Sequence, residues 1–273
     1  MAAYPVLRLA ATVPVMADRM ADGSAGDADY ATIGAAYTGY RRPAPRIAAA
    51  VTAALGDART VLNVGAGPGA YEPTDRLVTA VEPSAAMRSQ RPAHLPAAVD
   101  ATAEALPFAD ASFEAAMTTF SVHQWQDLTA GLREIRRVTR GPAVILTCDP
   151  ELVDRFWLAD YAPEVIATEA RRYPSLSALA DGLGGRTTSR TVPVPLHCTD
   201  GFNEAYYGRP EGLLDPQARL SCSAWSFVGA DVHQRFTGKL TRDLETGTWD
   251  ERYGALREQP TFEGSLVLVV AEP

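Results

Sequence analysis

The sequence predicts an α/β protein whose core is a parallel sheet with right-handed crossovers. Three observations lead there. Residues 60–150 alternate short apolar runs with turns and helix-period stretches. The first apolar run, Thr60–Val64, opens into a glycine-rich turn, Gly65-Ala66-Gly67-Pro68-Gly69. The second, Leu77–Val81, ends on an acid, Glu82. Parallel neighbours need such crossover connections, and the crossovers are almost always right-handed.

Each element has its own local reason. Residues 17–31 are polar, acidic and Gly-bearing, so they read as a linker or helix lead-in. The stretch before them is mildly apolar, broken by Pro5 and Pro14, and lacks a signal-peptide layout. Residues 1–29 are expected to be a flexible segment, and Met16 and Met20 leave room for a later start. A helix is expected over Pro45–Leu55, where Ile47, Val51 and Leu55 recur at helical spacing before Gly56-Asp57 stops it. After the two strands, a helical stretch runs from Ser84 to about Gln90. A short third strand near Pro96–Val99 precedes a loop, and Phe113–Thr119 reads as a fourth strand. Gln126–Val138 puts Leu128, Leu132, Ile135 and Val138 on one helix face, and Ala143–Cys148 is a fifth strand. Beyond 150 the pattern is less regular. Glu151–Ala170 looks helical, Arg190–Leu196 is a candidate strand, and Gly264–Ala271 is a clear one.

Composition narrows the function. The 273 residues are 47% apolar, which suits a globular core and excludes disordered and fibrous classes. A net charge of −8 argues against general binding to nucleic acid or an anionic membrane, since phosphate neutralisation needs surplus Lys and Arg. Arg133, Arg136, Arg137 and Arg140 share a helix face, and the plainer reading is a solvated face with cations near a helix C-terminus. Cys148, Cys198 and Cys222 are scattered and odd in number, so a reducing cytoplasm is expected and a disulfide framework is not. The four histidines lack metal-ligand spacing, so no metal is expected. No run approaches the roughly 18 apolar residues of a membrane span.

The glycine turn and Glu82 form the strongest constellation. Glycines after a strand let main chain approach a ligand closely. Glu82 lies 17 residues after Gly65, near the roughly 20 expected of a ribose-binding acid. Gly65-x-Gly67-x-x-Ala70 formally fits a dinucleotide fingerprint, so an NAD-linked oxidoreductase is the first rival. Against it, a pyrophosphate wants a well-formed helix N-terminus. Here Pro73 follows closely, and Tyr71-Glu72 puts an acid beside the pyrophosphate position. A ribose, an adenine and a cationic amino-acid tail, as in S-adenosylmethionine (SAM), suit this turn better.

The ordered segments VLNVGAGPGAYE, VTAVEPSAAM, AEALPFADASFEAA and FSVHQW resemble the class I SAM-dependent methyltransferases. The similarity is greatest to the small-molecule branch of the ubiquinone/menaquinone-biosynthesis type (methyltransferase domain 11), and it covers about residues 37–150 in motif detail. The resemblance implies a Rossmann-like seven-stranded sheet in order 3-2-1-4-5-7-6, its last strand antiparallel. It implies one methyltransferase domain over 30–273. It places Gly65, Ala66, Gly67 and Gly69 along the methionine part of SAM and Glu82 at the ribose. Pro83, Ser84 and Met87 would lie beside the ribose, with Met87 against adenine. Thr102, Ala103 and Glu104 would flank the adenine, and Phe120 and Ser121 would lie near the sulfonium. Arg42 would reach the methionine carboxylate. Asn63 departs from the commonest Asp, Thr102 replaces an Asp that often meets adenine, and the first helix after the turn is short.

In that topology the chain enters its last strand at the SAM-bearing edge. The long connection before it, about 200–262, then reads as a helical substrate cap over a small-molecule acceptor. Phe202, Tyr206, Tyr207 and Trp225 are candidate wall residues, or else the cap's own core. Displacement from a sulfonium needs alignment more than acid–base help. Where the acceptor must lose a proton, His123 is the candidate base, with local packing as its alternative, and Trp125 is a candidate cover for the ligand. A repurposed SAM binder that does not methylate is a further alternative. The acceptor, the methylated atom and the oligomeric state are not legible.

Overall fold

A computed structural model describes residues 38–273. The expectations for residues 1–29, and for most of the lead-in that follows them, lie outside the described residues. Helix α1 (Pro45–Ala54) precedes β1 (Thr60–Val64), β2 (Leu77–Val81), α2 (Ala85–Ser89), β3 (Ala115–Thr119), α3 (Leu128–Val138) and β4 (Ala143–Cys148). Then come α4 (Leu158–Tyr161), α5 (Pro163–Arg172), α6 (Leu176–Leu183), β5 (Arg186–Thr191) and β6 (Val194–Pro195). The chain closes with α7 (Pro216–Leu220), α8 (Ala230–Glu245), α9 (Thr248–Tyr253), β7 (Thr261–Phe262) and β8 (Leu266–Glu272).

The main sheet has six strands in the order β2-β1-β3-β4-β8-β5, with β8 antiparallel to both neighbours and β1–β4 mutually parallel. This is the expected Rossmann-like order with its outermost strand missing. The segment expected as that seventh strand makes one bridge, Val81 to Val99, through Val99 N–H to Ala80 O (2.8 Å) and Glu82 N–H to Val99 O (3.0 Å). Pro92 and Pro96 lack the N–H that a ladder needs, which stops pairing at one residue.

Alternation along the strands builds two apolar layers. Val61, Met117, Val144, Leu146 and Leu268 face α1 and the segments beyond β4. Leu62, Val64, Ile145 and Val269 face Leu132, Ile135 and Val138 of α3 and Leu179 and Leu183 of α6. Burying a full Leu or Ile contributes about 1.5–3 kcal/mol, so these layers hold the sheet edge in place.

Three expectations after residue 150 need correction. The helix expected over 151–170 is two short helices, because Pro163 starts a new one. Helix α6 was not foreseen; Ser175 caps it by accepting from Ala178 N–H at 3.1 Å. The strand expected at 190–196 lies earlier, as β5, while Val194–Pro195 leaves the sheet to pair with β7. The sequence of β5, RTTSRT, is exposed edge strand, so no apolar signal marks it. Between β6 and β7 the chain forms the helical insertion α7–α9. Its Trp225, Phe236, Leu240 and Trp249 pack with Trp157 and Tyr161 of the α4 region in one continuous core.

Candidate active site

The carboxyl ends of β1, β2 and β3 meet around one cavity. It is lined by Gly65, Ala66, Gly67, Pro68, Ala70, Tyr71, Glu82, Pro83, Met87, Ala103, Glu104, Thr119, Phe120, Ser121, Gln124 and Trp125, with Arg41 and Asp200 closing it. The turn after β1 is left-handed at Gly65 (φ 66°) and Gly67 (φ 52°). A Cβ at Gly65 would lie 1.8 Å from Ser121 Oγ, whereas one at Gly67 would meet open space. Gly65 therefore permits β1 and β3 to close on each other, and Gly67 presents bare main chain to the cavity.

Glu82 joins the two strand ends. Its carboxylate accepts from Gly67 N–H (2.7 Å) and from Ser84 N–H (2.8 Å), and it is 7% exposed. Burial pushes its pKa upward; the two amides, Arg88 and Arg91 oppose that shift. A carboxylate offers about four lone-pair sites, so two remain for a ligand's hydroxyls. Gln124 was not singled out in the sequence. It lines the cavity at 6% exposure, and neither its amide nitrogen nor its oxygen has a partner. An orphaned buried amide costs about 1–3 kcal/mol, which a polar ligand would recover.

No helix follows the glycine turn among the described residues; the chain runs in turns to β2. That removes the platform a dinucleotide pyrophosphate needs. The connection is held instead by Glu72, which is buried and accepts from both guanidinium nitrogens of Arg91 (3.0 Å each). Asn63 Nδ2 donates to the same carboxylate at 3.0 Å, which accounts for an amide in place of the commoner Asp.

Of the residues expected at the cofactor, Gly65, Ala66, Gly67, Glu82, Pro83, Met87, Ala103, Glu104, Phe120 and Ser121 come together here. Four do not line the cavity. Gly69 and Arg42 line a neighbouring groove. Thr102 is buried, and Ser84 is buried as the N-cap of α2, accepting from Met87 N–H. Arg41, its neighbour, lines the cavity instead of Arg42. An isolated bridge between Arg41 and Asp200 makes this stretch extended, so adjacent side chains point to opposite sides. Arg41 Nε donates to Asp200 Oδ1 (2.5 Å), Tyr71 O–H donates to Asp200 Oδ2 (2.7 Å), and the Arg41 guanidinium lies 4.9 Å from the Phe120 ring centroid. Tyr71 (φ 64°) and Phe120 (φ 51°) are left-handed without being glycine, an unfavourable backbone state concentrated in the cavity wall.

The base expected at His123 is also corrected. His123 packs edge-on against Tyr173 (4.7 Å) and does not line the cavity. Burial, with Arg172 and Arg41 nearby, pushes its pKa down to about 3, so it stays neutral and is a poor proton acceptor at neutral pH. Trp125 does line the cavity, donating Nε1–H to Ser121 Oγ at 2.9 Å. Tyr206 and Tyr207 do not; Tyr207 is stacked on Phe262 and donates to Gln259 O, and Trp225 is cap core. Phe202 alone of the cap aromatics reaches the wall, 5.2 Å from Phe120. On α3, Arg136 donates to Gly141 O, Arg137 binds Glu134 and Asp110, and Arg140 binds Glu114, so these guanidiniums are engaged within the fold. No helix among the described residues is long and apolar enough to cross a membrane, and none of their His, Cys, Asp and Glu side chains form a metal-holding group.

Residues 62–146 match the methyltransferase-domain family Methyltransf_11. The chain is similar in structure to a protein of Anabaena variabilis assigned as a methyltransferase of an antibiotic-biosynthesis pathway. The TM-score is 0.78 and the identity 27%, over 85% of this chain and 98% of the other. A SAM-dependent methyltransferase of Thermotoga maritima aligns with a TM-score of 0.49 and 16% identity, over 89% and 91% of the two chains. Among curated proteins, the uncharacterized YafE of Escherichia coli is 38% identical over 47 residues, so the chain spans 23% of that relative's length.

Proposed function

Because this chain carries a class I, SAM-dependent methyltransferase domain, we propose that the whole protein methylates a small-molecule acceptor held beneath the insertion between β6 and β7. The observation that carries the cofactor half is the Gly67–Glu82 contact, an open main-chain turn bound to a buried carboxylate with unused lone pairs. The orphaned amide of Gln124 in the same cavity supports the fit.

SAM, when bound, supplies a methyl group already activated by a sulfonium, so the protein's work is alignment and exclusion of water. Gly65, Ala66 and Gly67 would present main chain to the methionine half, and Glu82 would accept from the ribose hydroxyls. Pro83, Met87, Ala103 and Glu104 would enclose the adenine, and Gln124 would satisfy its amide on the ligand. Phe120 and Ser121 would border the reacting end, where Arg41 would take the role the resemblance gave to Arg42. Residues 200–262 would cover the acceptor, with Phe202 beside Phe120.

Calorimetric titration tests this reading. S-adenosylhomocysteine should bind the protein and NADH should not. Tight NADH binding, or indifference to S-adenosylhomocysteine, would overturn it. Binding without S-adenosylhomocysteine release over a broad acceptor panel would favour a SAM-binding protein that does not methylate.

A further inference from the structure

Two charged residues that close the cofactor cavity lie outside residues 62–146, the part of the chain that matches the methyltransferase family. They are Arg41, in the lead-in, and Asp200, at the start of the insertion. The two segments are stitched together antiparallel. Gly201 N–H donates to Tyr40 O (2.8 Å), Arg42 N–H donates to Thr199 O (3.4 Å), and the Thr199 hydroxyl donates to Pro43 O (3.1 Å). A third segment, the run after the glycine turn, joins them through Tyr71.

Asp200 is held rigidly at the cavity wall. It is 2% exposed. Its Oδ1 accepts from Arg41 Nε (2.5 Å) and its Oδ2 from the Tyr71 hydroxyl (2.7 Å). Burial and the Asp200 charge push the Tyr71 pKa up, so the phenol stays a donor. Tyr71 Oη accepts in turn from Ala44 N–H (3.5 Å). Arg41 is anchored as well, by Nη1 to Ser221 O (3.3 Å) and by the Phe120 ring under its guanidinium. A carboxylate has about four lone-pair directions, and these contacts use two of those on Asp200. Among the described residues, the charged side chains lining the cavity are Arg41, Glu82, Glu104 and Asp200. Glu104 accepts from Gln126 and Asp127 N–H, and Glu82 joins the strand ends. Asp200 is thus the anion set directly beside Arg41.

We propose that Asp200 holds the ammonium of the cofactor's amino-acid tail, so that the insertion supplies part of the cofactor site and selects ligands whose tail carries that ammonium. This rests on the cofactor reading above. The tail has one ammonium and one carboxylate, and beside a fixed Asp–Arg pair each end meets its opposite charge. An ammonium offers three donors and no acceptor, which matches a carboxylate with unused lone pairs. Asp200 is already fixed by donors from two other segments, so it does not have to be ordered when the ligand arrives. The lining as a whole carries three carboxylates and one guanidinium. That balance favours a cationic ligand, whereas an anionic pyrophosphate in the same wall would face Asp200.

The test is calorimetric and needs no acceptor. Three nucleoside thioethers are titrated into wild type and Asp200→Asn. They are S-adenosylhomocysteine, its decarboxylated form, which keeps only the ammonium, and 5′-methylthioadenosine, which lacks the tail. In wild type, S-adenosylhomocysteine should bind at least tenfold more tightly than 5′-methylthioadenosine, and the decarboxylated form at least threefold more tightly. Asp200→Asn should lose at least tenfold for the decarboxylated form, whose ammonium then faces Arg41 alone. It should lose less than threefold for 5′-methylthioadenosine, which also reports that the variant is folded. The decarboxylated form binding wild type no more tightly than 5′-methylthioadenosine would overturn the proposal without any variant. Asp200→Asn binding the decarboxylated form as well as wild type does would overturn it too. So would an equal loss for 5′-methylthioadenosine, the mark of a carboxylate that only supports the wall. Failure of wild type to bind either S-adenosylhomocysteine or 5′-methylthioadenosine would instead overturn the cofactor reading, and this proposal with it.

Discussion

Replacing Glu82 by Gln tests the joint between the strand ends most directly. Both carboxylate oxygens already accept one main-chain amide, from Gly67 at 2.7 Å and from Ser84 at 2.8 Å. The two remaining lone-pair directions are the ones offered to the ribose. Glutamine keeps the shape but turns one oxygen into a donor, so one amide and one hydroxyl meet N–H instead of oxygen. The charge assistance is lost as well. Hydrogen bonds to charged groups contribute about 1.5–3 kcal/mol each. One hydroxyl can rotate to accept instead, so the net loss should be about 2–3 kcal/mol, or roughly 30- to 150-fold in affinity. The fold should suffer less, because the lost amide contact is offset by relief of a buried charge. Isothermal titration with S-adenosylhomocysteine, beside a thermal melt, reads both quantities. Binding by Glu82→Gln within threefold of wild type would refute the reasoning.

Other perturbations separate the remaining claims. Arg41→Ala should weaken S-adenosylhomocysteine about tenfold or more, because it breaks the Arg41–Asp200–Tyr71 chain in the cavity wall. Arg42→Ala should change it less than twofold, and the reverse order in titrations would return the role to Arg42. Asn63→Asp sets a second carboxylate against Glu72, which Arg91 alone must neutralise. It should cost about 1–3 kcal/mol in urea unfolding at pH 8. The new acid's pKa rises on folding, so the loss should shrink as the pH falls through that raised value. His123→Asn should leave methyl transfer within about threefold of wild type, since burial holds His123 neutral at neutral pH and it lies outside the cavity. Loss of turnover in a steady-state assay, with S-adenosylhomocysteine binding retained, would reinstate the histidine as base.

Much of the α/β half was legible because it is written locally. β1, β2 and β4 fall where their apolar runs stand, and α2 starts at the Ser84 cap. The glycine turn and Glu82 are signals of the same kind, since φ above zero and a lone acid at a strand end are requirements of single residues. The outer strand expected at Pro96–Val99 shrank to one bridge at Val99, because Pro96 has no N–H to donate. β5 was misplaced because its stability comes from pairing with β8, and its polar sequence gives no hint of a partner so far along the chain.

The sequence by itself determined the alternation of strands and helices, the open turn and the acid that faces it, because backbone sterics and strand alternation act over a few residues; the sheet order was implied only by the family resemblance. The tertiary structure decided which of two adjacent arginines enters the cavity, and that His123 is packed away. It also decided that Phe202 packs beside Phe120 and that Asn203 donates to Glu169. Those outcomes depend on which side of an extended segment faces inward and on contacts between residues far apart in the chain. Burial then sets how each group titrates, and burial is a property of the assembled fold.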